Sequence, residues 1–301
     1  MLLEFYDNPH AFLDVAGELL AAEPVLGSVI ASYTERVARE MADGRDSWPE
    51  AGAPFDRWWL VVRDDKGAPV SAAMRTAPFK PWPSYSLPMS DDAAALLATT
   101  LHDRGEFLGG CNGALPGAGA LAAETARLAG VSMTVDKHTR LWEATSVTPA
   151  PAPSGTLRLA TEEDGDLALD WFRRFHAEAD EQAGREPHAD SGEHATMESV
   201  LVRIREDAIW LWELPGGEVV HLTGANLPSF GVSRIGPVYT PSQHRGRGIA
   251  SHVVGELTRR GLAAGHRMCL FTDQANPTSN KIYEALGYRP VTDMAEHLVG
   301  A

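Results

Sequence analysis

Residues 241–248 read Pro-Ser-Gln-His-Arg-Gly-Arg-Gly, between an apolar β-type run at 235–240 and a stretch where Ile249, Val253, Val254, Leu257 and Leu262 recur near helical spacing. Strand, glycine-containing loop and helix start, in that order, present free backbone N–H groups and the positive end of a helix to a phosphate. Gly246 and Gly248 let the backbone approach an anion with no Cβ in the way. Between 234 and 267 six arginines stand against one acid, Glu256, a local charge of 6 − 1 = +5. The whole chain is 26 − 41 = −15, so the remainder carries −20. A basic island in an acidic protein points to a local anion site rather than a surface that grips nucleic acid. Taken alone, the segment also reads as an ordinary crossover with solvated arginines.

A second apolar β-type run, 268–272, leads into DQANPTSNKIYEALGY at 273–288. The two segments in this order, with a strand between them, resemble the acetyl-CoA signature of the GNAT-type N-acetyltransferases. Its first part, (Arg/Gln)-x-x-Gly-x-(Gly/Ala), is matched by Gln243, Gly246 and Gly248. Its second, loosely Asn-x-x-x-x-Tyr-x-x-x-Gly-(Phe/Tyr), is matched by Tyr283 and Gly287-Tyr288, with Asn280 three residues before the tyrosine. The resemblance covers residues 232–292.

The resemblance implies acetyl-CoA as co-substrate. Its pyrophosphate would rest on the loop, at Gln243, His244, Arg245, Gly246, Arg247, Gly248, Ile249 and Ala250, and its pantetheine arm would pair like an extra strand with Val238, Tyr239 and Thr240. It implies that the central strand splays from the next, so that the backbone N–H of Val238 or Tyr239 meets the thioester oxygen as oxyanion donor. Tyr283 would be the general acid for the departing thiolate. Asn276 and Asn280 would hold the cofactor's amides; their other reading is turn and N-cap chemistry, since Asn-Pro-Thr-Ser is itself a helix-start sequence.

At the base the chain departs from the family, many of whose members carry a glutamate on or near the central strand. Residues 234–237 are Arg-Ile-Gly-Pro. Glu178, Asp180 and Glu181, at the end of a helix, could hold a cationic amine, and His221 on the preceding strand could take its proton near neutral pH. A solvated helix face and a strand histidine are the plainer readings, and a water-relayed base is another route. The activity expected is direct transfer of acetyl to a primary amine of a small molecule or peptide. The rival is a non-catalytic CoA-binding or scaffold protein that keeps the fold; another acyl-CoA or a non-amine acceptor stays open.

Other chemistries lack their patterns. The eleven histidines show no HExxH or paired Cys–His spacing, so no metal is expected. GxxxxGK(S/T) is missing, and QHRGRG is not a dinucleotide fingerprint. Cys111 and Cys269 make no disulfide framework. No apolar run approaches the ~18 residues of a membrane span, and the first residues carry acids where a signal peptide needs basic ones. The expectation is a cytoplasmic protein with no nucleic-acid or membrane partner and an open oligomeric state.

The elements that must position these residues fall into an α/β (α+β) chain of two tandem GNAT-like domains, each a mixed, mostly antiparallel central sheet flanked by helices. The expected division is 1–146, a Pro/Ala connector at 147–155, and 156–301. The first half reads as two helices within 9–41, a loop at 43–56, a hairpin at 58–75, a helix from Ser90 to about Asp103, a strand near 107–111, a helix ending near Gly130, and closing β-structure at 131–144. The second reads as a strand at 156–160, a helix from Thr161 broken at 184–192, a helix at 193–205, a hairpin at 208–222, and then the segments above. The chemistry is not repeated. Aligning Leu87-Pro88 with Thr240-Pro241 puts Asp91-Asp92 where His244-Arg245 stand, and aligning Gly130 with Gly287 replaces Asn280 and Tyr283 by Ala123 and Ala126. The first half is therefore expected to be a degenerate copy that shapes the acceptor cleft or holds the second half.

Overall fold

The computed structural model describes residues 1–45, 55–77, 80–185 and 195–300. In chain order the elements are β1 (Leu2–Tyr6), α1 (Pro9–Ala22), α2 (Ser28–Ala42), β2 (Trp58–Arg63), β3 (Pro69–Arg75), β4 (Ser84–Ser86), α3 (Asp91–Asp103), β5 (Gly110–Ala114), α4 (Gly117–Ala129) and β6 (Met133–Ala144). They continue as β7 (Thr156–Leu159), α5 (Gly165–Gln182), α6 (Met197–Arg205), β8 (Ile209–Glu213), β9 (Val219–Ala225), β10 (Val232–Tyr239), α7 (Ile249–Ala263), β11 (Arg267–Asp273), α8 (Pro277–Leu286) and β12 (Arg289–Val299). Most of the expected loop at 43–56 and of the break at 184–192 lies outside the described residues. β1, an element the sequence pattern does not announce, pairs antiparallel with β2.

Two compact units divide the chain: Met1–Leu141 with Val291–Ala301, and Trp142–Pro290. The strands of the first run in the order β1-β2-β3-β4-β5-β12-β6, and those of the second β7-β8-β9-β10-β11. The pairs β4–β5 and β10–β11 are parallel, while the hairpin-connected pairs are antiparallel. A parallel join needs a crossover, and α3 and α7 supply it in their respective units.

In the second unit apolar stripes cover both faces of the sheet. On one, Val253, Val254 and Leu257 of α7 pack with Met268 and Leu270 of β11 and with Leu286 and Tyr288. On the other, Trp171 and Phe172 of α5 and Val200 and Ile204 of α6 pack on Leu211, Leu222 and Tyr239. Two polar ends buried there are satisfied: Trp142 Nε1 donates to Thr272 Oγ1 (2.8 Å), and the Tyr288 and Thr258 hydroxyls lie 2.7 Å apart.

This division differs from the expected 1–146, 147–155 and 156–301 in two ways. The Pro/Ala stretch is no free connector but is packed inside the second unit. The Thr148 N–H donates to Leu286 O (2.9 Å), Trp212 Nε1 donates to Ser154 O (3.2 Å), and His252 Nδ1 lies 3.3 Å from Ala150 O. The last strand, in turn, belongs to the first unit: β12 pairs antiparallel with β5 from Met294↔Ala114 to Leu298↔Gly110. A strand's partner is set by backbone pairing at long range, which local composition does not encode.

A chain ending at Pro290 leaves the β5 edge open and removes the buried Met294, Ala295 and Val299. Such deletions cost at least ~3 kcal/mol, so thermal scans should show the first unit melting roughly 6–12 °C lower. An unchanged transition would contradict the pairing.

Candidate functional site

The site starts from a fault in a strand. β10 pairs with β11 only from Val232↔Arg267 to Ile235↔Leu270, although β10 continues to Tyr239 and β11 to Asp273. Its register with β9 also skips between Ile235 and Val238. Gly236 (φ 149°) and Pro237, which has no N–H, occupy the skip. Arg203 holds it: its guanidinium donates to Gly236 O (3.0 Å) and to Asn226 Oδ1 (3.2 Å). Gly224 on β9 has to be glycine, because a Cβ there would stand 2.3 Å from Gly236 O. Past the skip, the β10 edge that faced β11 is open to an added strand.

A cleft of about 340 Å³ opens at that edge. α5 lends it Phe175, Glu178, Ala179 and Gln182, an i, i+3, i+4, i+7 stripe. β10 lends Val238, Tyr239 and Thr240, the loop lends His244 to Ser251, and α8 lends Asn276, Thr278, Ser279, Ile282 and Tyr283.

From Gly246 on, the loop leaves its backbone N–H groups unpartnered among the described residues. After a tight turn at Ser242–His244 the chain extends at Arg245, and Gly246 (φ 73°) and Gly248 (φ 75°) are left-handed. A Cβ at either glycine would meet nothing within 4 Å, so conformation rather than room demands them. α7 has no side-chain cap and no acid in its first turn. Among the described residues, no acceptor pairs with the N–H groups of Gly246, Arg247, Gly248, Ile249 or Ala250. Five successive free amides at a positive helix end suit a pyrophosphate. Gln243 lies outside the cleft lining; its carbonyl accepts from Arg247 (3.2 Å). His244 lies at the cleft, buried, with Nε2 3.3 Å from Glu218.

Glu178 ties α5 to the loop. Its Oε1 accepts from the Tyr239 hydroxyl (2.7 Å) and from Arg174 (3.1 Å), while its Oε2 accepts from Arg245. Arg245 Nε also donates to Thr240 O (2.8 Å). Burial pushes the Glu178 carboxyl up, but hydrogen bonds from Tyr239 and Arg245, with the charge of Arg245, outweigh it and hold the group below its ordinary value. It is a fixed anion, a weak proton acceptor at neutral pH. Asp180 and Glu181 do not line the cleft: Asp180 is buried and bound by Arg185 (3.0 Å), which also pairs with Asp273. On a helix, residues 180 and 181 lie round the axis from the 175–182 stripe.

Tyr283 is buried at the cleft, edge-on to Tyr288 at 5.9 Å, and its hydroxyl has no partner among the described residues. Burial raises its pKa, so it stays a proton donor. Asn276 lines the cleft and also caps α8, accepting from the Ser279 N–H (3.1 Å). Asn280 does neither. Its Oδ1 accepts from Thr272 Oγ1 (2.6 Å) and its Nδ2 donates to Asp273 O (3.2 Å) and Gln274 O (3.3 Å). It fastens α8 to the end of β11, so the expectation that it holds the cofactor's amides is corrected.

His221 is corrected too. It is fully buried, its ring nitrogens each 2.7 Å from a threonine hydroxyl, Thr240 and Thr223. Burial pushes its pKa down to about 3. A neutral imidazole closed between two hydroxyls and absent from the cleft lining is not positioned to deprotonate an amine.

Sequence reasoning misses Phe175, Ala179 and Gln182, although their spacing with Glu178 is a usable signal. It also misses Thr278 and Ser279, whose helix-start role hides a second one.

The first unit closes the equivalent place. β4 stays paired with β5 to its last residue, Ser86↔Gly113. A Cβ at Gly113 would stand 2.4 Å from Ser86 O, and one at Gly117 2.7 Å from Met89 O. The start of α3 is already capped by Ser90, which accepts from the Ala93 N–H (3.3 Å), and carries Asp91 and Asp92 in its first turn.

A depressed carboxylate stabilises the fold fully above its unfolded value, 4.5 for Glu178, and the contribution disappears as pH falls through the lower folded value. Glu178→Gln should therefore cost roughly 1–3 kcal/mol at neutral pH. In denaturant titrations its gap from wild type should narrow below pH 4.5. A gap independent of pH would refute the network.

Residues 216–296 match the family model described as FR47-like protein. No functionally curated protein matches the chain. Among solved structures, an acetyltransferase from the GNAT family of Colwellia psychrerythraea is 12% identical with a TM-score of 0.54, each chain covered in full. A GCN5-related N-acetyltransferase from Sphaerobacter thermophilus is 18% identical at a TM-score of 0.52, covering 98% of this chain and 94% of that one. A tandem GNAT protein from the clavulanic acid biosynthesis pathway is 14% identical at 0.52, covering 98% of both. The chain has the GNAT fold over its whole length, in the manner of a tandem GNAT protein, and its FR47-like segment holds the splayed strand and the glycine loop.

Proposed function

We propose that the second unit binds acetyl-CoA and transfers its acetyl group directly to a primary amine of a small molecule or peptide. One observation carries this reading: the open edge of β10, the five unpartnered loop amides and the unpartnered Tyr283 hydroxyl all meet one cleft. The fold independently supports acetyl transfer in general.

The loop amides would receive the pyrophosphate, and the edge at Val238 to Thr240 would take the pantetheine amides as a neighbouring strand takes its partner. Acetyl-CoA supplies the activated acyl group, a thioester carbonyl that the amine nitrogen attacks. As the C–N bond forms and the C–S bond breaks, a backbone N–H of Val238 or Tyr239 faces the oxygen that gains charge. Tyr283 gives its proton to the departing sulfur. A free thiolate of pKa near 8.5 would otherwise be unfavourable by about 2 kcal/mol at pH 7.

Glu178 serves here as a fixed negative charge for a cationic amine, and the amine's proton leaves through water. The first unit, with its cleft closed, has no second cofactor site in this reading.

Calorimetric titration with acetyl-CoA should give one site per chain, abolished by Gly246→Glu, which puts a carboxylate and a strained φ into the cradle. Two sites, or none at millimolar ligand, would overturn the reading. In an amine screen with thiol-release detection, Tyr283→Phe should keep acetyl-CoA affinity and lose about 10²-fold in kcat, the low end of what a positioned acid contributes. An unchanged kcat would remove Tyr283 from the chemistry.

A further inference from the structure

Arg234 stands on β10 one residue before the last β10–β11 pair, Ile235↔Leu270, and two before the skip that begins at Gly236. Side chains alternate along a strand. Ile235 packs with α7 and β11, so Arg234 is directed to the opposite face of the sheet, the face that α5 and α6 cover. On that same face α5 supplies the cleft with Phe175, Glu178, Ala179 and Gln182. Arg234 thus lies on the α5 side of the sheet, just short of the point where β10 leaves β11.

Its guanidinium has nothing to hold. The side chain is half-buried, and its Nη1 is buried with no acceptor. Among the described residues no carboxylate pairs with it. The neighbouring groups are engaged with one another instead. Arg203 donates to Gly236 O (3.0 Å) and to Asn226 Oδ1 (3.2 Å). The Asn226 N–H donates to the backbone carbonyl of Arg234 (2.9 Å), so Asn226 fixes the strand and not the guanidinium. Arg185 holds Asp180 and Asp273, and Arg245 holds Glu178. Taking a guanidinium nitrogen out of water without an acceptor costs free energy that an anion from outside would restore.

We propose that Arg234 binds a carboxylate of the acceptor, which makes the substrates of the second unit amines that carry a carboxylate, amino acids above all. The inference rests on acetyl transfer in the adjoining cleft. A planar guanidinium matches the two oxygens of a carboxylate. Four residues of extended chain, about 13 Å, separate Arg234 from Val238, where that reading puts the thioester oxygen. The arginine side chain covers part of this span, and a small amino acid bridges the rest, its amine toward the thioester. The amine nitrogen gains the acetyl carbon, CoA leaves as the thiol, the amine's proton passes to water, and the carboxylate keeps its charge. A lone cation on the face that also carries Glu178 suits a monoanion better than a phosphate dianion.

A thiol-release screen of the full-length protein with acetyl-CoA tests this, using amino acids beside the amines that lack only their carboxylate: phenylalanine with phenethylamine, lysine with cadaverine, β-alanine with ethylamine. The best wild-type acceptor should carry a carboxylate and exceed its decarboxylated counterpart at least tenfold in kcat/KM. Arg234→Met should raise KM for that acceptor about 10- to 100-fold, the worth of a hydrogen bond to a charged group, with kcat nearly kept. The decarboxylated counterpart should show no such rise. Arg234→Lys, which keeps the charge and loses the fork, should fall between. Comparing each amine with itself across variants cancels differences in amine basicity. Should Arg234→Met fold poorly, the wild-type preference and the Arg234→Lys KM still decide. A best acceptor without a carboxylate, or an equal rise in KM for both members of a pair, would overturn the assignment while acetyl transfer itself stood. Failure of wild type to bind acetyl-CoA, or to acetylate any amine, would instead overturn the underlying reading, and this one with it.

Discussion

Everything in the second unit's site depends on how the chain keeps β10 from staying paired with β11. A paired strand satisfies its own backbone; an unpaired one exposes groups that cost free energy unless water or a ligand meets them. The fault is held in place by four residues with separate tasks. Gly236 takes a backbone conformation closed to other residues, Pro237 removes a ladder donor, Gly224 makes room, and Arg203 takes the displaced carbonyl. With the fault fixed, the open edge and the start of α7 border the same cleft.

That surface is positive at the loop in a protein of net charge −15, and the local balance is tuned rather than simply basic. Most of the loop and helix arginines are neutralised by ion pairs, so the attraction for an anion comes chiefly from backbone dipoles and the few cations left over. Glu178 uses its charge to hold Arg245 and the Tyr239 hydroxyl, which fixes the loop against α5 and fixes Tyr239 in β10. The same carboxylate, paired with Arg174 and Arg245, thus orders the cleft.

The sequence was most legible where chemistry and local conformation coincide. The glycine loop could be read because left-handed positions ahead of a helix select glycine, and both Gly246 and Gly248 are left-handed. Apart from β1 and β4, the element order and the helix starts at Ser90 and Asn276 were legible from capping and periodicity. Contact-dependent roles were not. Asn280 has the residue type for holding an amide, yet its three hydrogen bonds are all made inside the fold. His221 has a useful solution pKa that burial cancels. The exchange of β12 into the first unit had no local mark at all, because two closing strands of similar composition are told apart only by which edge they pair with.

The two units share a topology, and the contrast between them shows what a site of this kind costs. In the first unit β4 stays bonded to β5 to its last residue, Gly113 and Gly117 let Ser86 and Met89 close over the gap, and Ser90 with two aspartates satisfies the helix start. Each of these is the locally stable solution, and each removes a feature that an anionic ligand needs. In the second unit the same three places are left unsatisfied: the edge, the gap and the helix start. Free energy given up at one place could be incidental. Given up at three places facing one cleft, and stiffened by Arg203 and Glu178, it is what binding energy from a ligand would restore.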